Sequence, residues 1–110
     1  MSQEVQEALK EDLKKDLLNI AYTLRDQVKG YKPTQFLEIV KNSPPVDAVI
    51  QIVRSKNTDL QKLFFEGQLA LSLEYFVLKE TKYHSLFTSE ILQEVKRKLR
   101  DYSPDLVRDL

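Results

Sequence analysis

The side chains able to do chemistry in this chain are few, and their spacing limits them sharply. His84 is the single histidine and there is no cysteine. A zinc site needs several nitrogen or sulfur donors, which one imidazole cannot supply. A thiolate nucleophile and a disulfide framework are excluded outright. Ser72 and Ser85 are the serines to consider beside His84, but neither stands in a nucleophile elbow. The ordinary reading of His84 is a partly exposed loop residue. Glu66 and Glu74 lie eight residues apart. On one helix they share a face, roughly 12 Å apart along the axis. Buried carboxylates there would have raised pKa values suited to acid–base work. The plainer reading puts both on a wet edge or against a neighbouring Lys or Arg. Glu66 is the stronger candidate, because it adjoins Gly67, where another backbone can approach closely. The densest basic run, "KRKLR", places Lys96, Arg97 and Arg100 within one turn of each other. Such a run can contact phosphates. It is also what a helix C-terminus favours, with Glu94 and Asp101 offsetting it. Phosphate-loop, dinucleotide, calcium-loop and zinc-helix motifs are all absent, so no catalytic residue, metal or cofactor is expected.

Helices are the elements that must position these groups. Two glycines and four prolines leave little material for a many-stranded sheet, and Leu, Glu, Lys and Gln favour helix. Val5, Leu9, Leu13, Leu17, Ile20, Leu24 and Val28 recur at steps of three and four, which predicts one long helix over 3–29 ending at Gly30. "YKPTQFLEIVKN" reads as a short helix with Pro33 in its first turn. "SPPVDAVIQIVRS" reads as a third, with Ser43 as N-cap and Pro44 at the first helical position. Its density of β-branched residues makes a strand the alternative. Thr58 and Gln61 match a capping box that opens a fourth helix over 58–80. That segment carries Leu60, Leu63, Phe64, Leu69, Leu71, Leu73, Phe76, Val77 and Leu78 on nearly all sides, so it is expected to be the central buried helix. Gly67 within it is expected to admit a second helix against bare backbone. Thr88 is positioned to cap a fifth helix over 89–102, with Phe87 and Leu92 as a hydrophobic staple. A second Ser-Pro pair precedes a short final turn.

The chain of 110 residues is 42% hydrophobic and 31% charged, which fits one domain, residues 1–110, with a genuine core. Residues 1–16 are thin enough in apolar groups to protrude or fray. Seventeen basic and seventeen acidic groups give zero net charge, which gives no support to binding nucleic acid through its phosphates. The N-terminus is too charged for a signal peptide, and no apolar run reaches the ~18 residues of a membrane span. A soluble, cytoplasmic protein is expected.

Residues 31–102 carry a further pattern: "YKPTQFLEIV", "VDAVIQIV", "LQKLFFEGQLALSLEYFVL" and "YHSLFTSEILQEVKRKLRDY", in that order. It resembles a family of small all-helical bacterial domains with Y-x-P-T-x-F-L, L-W-E-x-G-R-L-D-L-S-V-E-x-x-V-L, L-F-T-x-E-E-I and R-L-x-x-Y. Tyr31, Pro33, Thr34, Phe36, Glu66, Gly67, Ser72, Glu74, Thr88 and Tyr102 are among the positions that match. Pro44 and Pro45 replace a glycine pair, Phe65 replaces the tryptophan, and Gln68 and Ala70 stand where Arg and Asp would be. The resemblance implies a helical fold and a mobile-element or defence setting, and no reaction.

The expectation is therefore an all-α, compact bundle of about five helices that is not an enzyme. It would act through protein–protein contacts, with Glu66, Gly67, Glu74, Lys96, Arg97 and Arg100 as candidate contact residues. Val5, Leu9, Leu13 and Leu17 form a second candidate surface, for a partner helix or self-association through the N-terminal helix. A nucleic-acid-associated factor using Lys96, Arg97 and Arg100 is the alternative. An enzyme would rest on Glu66, Glu74 and His84, and requires them to face one another.

Overall fold

The computed structural model describes residues 3–55, 59–108 and 110, with only the backbone of Asp59. It is all-helical. α1 (Gln3–Gln27) is followed by α2 (Thr34–Asn42), α3 (Pro45–Arg54) and α4 (Asp59–Phe65). A 3₁₀ turn (Leu69–Leu71) leads into α5 (Leu73–Lys79), a second 3₁₀ turn (Thr81–Leu86) into α6 (Ser89–Tyr102), and α7 (Pro104–Val107) follows. The strand alternative for "VDAVIQIV" is not realised.

α1 is held by Leu13, Leu17, Ala21 and Leu24, all buried. About 1.5 Å per residue makes it roughly 37 Å long, comparable to the longest dimension of the molecule, 41 Å. It packs against α2, α3 and both 3₁₀ turns. Gly30 terminates it as expected: with φ 77°, it sits in the turn that Tyr31 N–H closes on the Val28 carbonyl at 3.1 Å. Ser43 does not cap α3. The helix starts one residue later, at Pro45, and the Ser43 hydroxyl instead accepts from the Gln51 amide at 3.1 Å. α6 runs as expected, with Thr88 Oγ1 accepting from Ile91 N–H at 3.2 Å and Ile91, Val95 and Leu99 buried.

The segment 58–80 is not one helix. α4 stops at Phe65, where Gln68 N–H bonds the Leu63 carbonyl at 2.7 Å and Gly67 N–H the Phe64 carbonyl at 3.1 Å. This pair of crossed bonds is the Schellman closure, and it needs a left-handed residue, which Gly67 supplies at φ 68°. A Cβ built on Gly67 would meet nothing within 4 Å, so the glycine serves backbone conformation and not helix approach. The chain then restarts at Ser72, whose Oγ accepts from Tyr75 N–H at 3.1 Å. Its apolar residues still fill the core: Leu60, Leu63, Leu69, Leu73, Val77 and Leu78 are all buried. Thr58 of the expected capping box lies outside the described residues.

Candidate interaction surface

The three residues an enzyme would need lie in different settings. Glu66 follows the last residue of α4 and is exposed, whereas Glu74 is 5% exposed in the first turn of α5. The break between α4 and α5 removes the shared helix face that the eight-residue spacing implied. Glu74 is partnered within the fold and benefits from the positive helix end beside it. His84 is half-buried, and its Nε2 lies 3.0 Å from the Val77 carbonyl and 3.2 Å from that of Leu78. A ring nitrogen between two carbonyls must carry the proton. His84 thus donates to the last turn of α5, where carbonyls lack helical partners. Ser72 is committed as the α5 cap. Among the described residues, no group of three or more His, Asp and Glu is arranged to hold a metal ion. A cleft of about 170 Å³ between α1 and α5, lined by Ile20, Thr23, Ser72, Tyr75 and Phe76 among others, contains none of Glu66, Glu74 or His84.

The basic helix is partly committed to the fold. Lys98 Nζ donates to the Val53 carbonyl at the end of α3, and Lys96 Nζ to the Leu110 carbonyl at 3.4 Å. Arg54 of α3 grips Glu94 through two bonds, Nε to Oε2 at 3.3 Å and Nη2 to Oε1 at 3.2 Å, with Glu90 at 3.9 Å. The hydrogen bond to Arg54 holds the Glu94 carboxyl below the usual carboxylate range, and the same bond raises the guanidinium. Arg97 and Arg100 are exposed and form no ion pair within 4 Å among the described residues.

On α1, Leu13 and Leu17 are fully buried in the domain's own core. They cannot serve a partner without unfolding. Leu9 is half-buried, and Val5 is 48% exposed. The exposed apolar part of the N-terminal stripe is therefore confined to the first two turns.

The most apolar exposed feature sits elsewhere. Phe65 is 74% exposed and Phe64 44%, although the sequence pattern placed Phe64 in the core. Their rings lie 5.8 Å apart, and Phe64 lies 5.5 Å from the half-buried Tyr102 of α6. These are tilted aromatic contacts in the favourable range. Two features explain the exposure. α4 is only seven residues long, and Leu60 and Leu63 are its buried residues, so the positions between and after them face outward. Sequence reasoning missed this because an apolar run gives no sign that its helix will end after two turns; the "EG" at 66–67 was the available signal.

Comparison with protein-family models, with curated proteins and with solved structures gives no match. The surface must therefore be interpreted from its own geometry. Tyr102 is five positions from Arg97 and two from Arg100, or roughly 140–160° around α6 at ~100° per residue. The aromatic cluster and these two arginines consequently face different directions. A surface for single-stranded nucleic acid would combine stacking rings with cations along one groove, and α6 separates them.

Proposed function

We propose that this protein is a small non-enzymatic interaction module, bacterial and cytoplasmic, that acts through protein–protein contacts at the α4–α6 aromatic surface. The observation that carries the reading is Phe65, 74% exposed beside Phe64 and Tyr102. Covering a large exposed ring gains free energy, and aromatic residues dominate the energetics of interfaces. The setting is supported by the resemblance of residues 31–102 to small helical bacterial domains, and by the absence among the described residues of a helix long and apolar enough to cross a membrane.

The test is affinity capture of the tagged chain from cells that express it natively, with and without nuclease, in parallel with Phe65→Ser. A protein partner that survives nuclease and is lost with Phe65→Ser supports the reading. Binding that is unaffected by Phe65→Ser refutes it. The second reading, a nucleic-acid-associated factor, draws on Arg97 and Arg100, which have no counter-ion within 4 Å among the described residues. It requires binding that weakens steeply with salt and falls when both arginines are replaced by Gln.

A further inference from the structure

We propose that the cleft between α1 and α5 binds a free α-amino acid with an apolar side chain. This site is separate from the α4–α6 aromatic surface and does not depend on the interaction-module reading. α5 has two faces. Leu73, Glu74, Val77 and Leu78 are its buried residues. At ~100° per residue, Ser72, Tyr75, Phe76 and Lys79 fall within about 100° of one another on the other side, and all four line the cleft. Ile20 of α1 and Leu71 of the first 3₁₀ turn complete its apolar lining. Ile20, Leu71, Tyr75 and Phe76 are each half-buried. The Phe76 ring rests 5.8 Å from that of the fully buried Tyr83, so this wall is fixed by the fold.

Size limits the occupant. The cleft measures about 170 Å³. A cavity of roughly 150 Å³ walled by Leu, Ile and Phe holds a benzene ring, so one side chain of leucine or phenylalanine size fits. The volume falls below the roughly 300–1,000 Å³ of larger ligand pockets.

Charge then specifies the head group. Asn19, Thr23 and Ser72 contribute uncharged polar groups, and the charged lining residues are Lys79 and Glu80. These two are consecutive at the C-terminal end of α5, and no ion pair within 4 Å joins them. Lys79 Nζ lies 5.9 Å from the centre of the Tyr75 ring, over an aromatic residue of the cleft. Glu80 has left helical geometry, with φ −86° and ψ 82°, so it is not held to the divergence of consecutive helical side chains. The cleft thus offers an apolar slot with one cation and one anion at the same end. An α-amino acid carries a carboxylate and an ammonium on the carbon that bears its side chain. Its carboxylate meets Lys79, its ammonium meets Glu80, and its side chain enters beside Tyr75 and Phe76. An apolar acid without the ammonium satisfies Lys79 and is repelled by Glu80; an apolar amine does the converse.

Titration of the full chain with phenylalanine, followed in amide proton–nitrogen correlation spectra, tests the proposal. The expected result is saturable shifts at 19–23 and 70–80, with a dissociation constant of order 1 mM for a ligand of about a dozen heavy atoms. Phenylpropanoate, which lacks the ammonium, and phenethylamine, which lacks the carboxylate, should each bind about tenfold more weakly. Glycine, without a side chain, should give no saturable shift. Lys79→Ala and Glu80→Gln should each weaken phenylalanine about tenfold. Lys79→Ala should leave phenethylamine unaffected, and Glu80→Gln should not weaken phenylpropanoate; unchanged shifts elsewhere in the spectrum show that each variant is folded. No saturable shift with phenylalanine, saturable shifts confined to another surface, or phenylalanine bound no better than its two analogues overturns the proposal.

Discussion

Replacing Gly67 by alanine separates two architectures by the sign of one number. If 58–80 were a continuous helix, alanine would stabilise it by about 1 kcal/mol over glycine. In the observed fold Gly67 has φ 68° and closes α4. A left-handed L-residue costs about 1–2 kcal/mol there. Part of this is returned, because alanine also reduces the freedom of the unfolded chain, an effect of about 0.4–1 kcal/mol. Packing adds nothing in either direction, since a Cβ would meet no atom within 4 Å. The net expectation is a loss of about 1 kcal/mol, or a fall in Tm of about 4 °C for a domain of this size. Gly67→Asn should lose less, because asparagine tolerates the left-handed region. Urea unfolding followed at 222 nm measures all three proteins. A higher midpoint for Gly67→Ala would refute the Schellman break and restore the single long helix.

Other consequences are equally direct. Tyr83 is fully buried, and its hydroxyl donates to the Asp16 carboxylate. Burial first, and then Asp16, push its ionisation above the ordinary value of 10.0. A group whose folded-state pKa is raised contributes its full stability below the unfolded value and loses it as pH rises above. Wild-type stability should therefore fall more steeply above pH 10 than that of Tyr83→Phe, as read by urea midpoints from pH 8 to 11. Thr88→Ala should cost about 1 kcal/mol through the lost α6 cap, with Thr88→Ser retaining most of it. Leu17→Ala should cost about 2–5 kcal/mol, whereas Val5→Ala should stay within about 0.5 kcal/mol; equal effects would contradict the burial difference between the two ends of the stripe.

Long, well-capped elements were legible in the sequence. α6 has a threonine cap, an unbroken apolar stripe and a Ser-Pro stop, and its local signals agree with its packing. α1 is similar, because its stripe repeats over six turns. The 58–80 segment was half legible. Its leucines were correctly assigned to the core, but the path was not, because a run that is apolar on all sides has no helical phase to lose when the helix stops. Gly67 and Ser72 mark the break, and each has an equally ordinary role inside a helix. The candidate site suffered from the same ambiguity. Phe64 and Phe65 differ from buried neighbours only in phase, and two turns are too few to define one. His84 was legible as isolated, but its donation to Val77 and Leu78 depends on a chain reversal that no local pattern announces.

The position of α1 has a consequence for how the molecule comes apart. Its middle touches segments from both halves of the chain: Asp16 receives the Tyr83 hydroxyl, while α2 and α3 pack on the same helix. Its buried residues Leu13, Leu17, Ala21 and Leu24 belong to the core that the two halves share. Amide exchange should consequently be slowest in the interior of α1, at Leu13–Leu24, and opening there should coincide with global unfolding. The first two turns, with Val5 exposed, should exchange independently and quickly. The N-terminal helix thus behaves as two regions on one rod: a fraying end that tolerates trimming, and a keystone on which both halves of the chain rest.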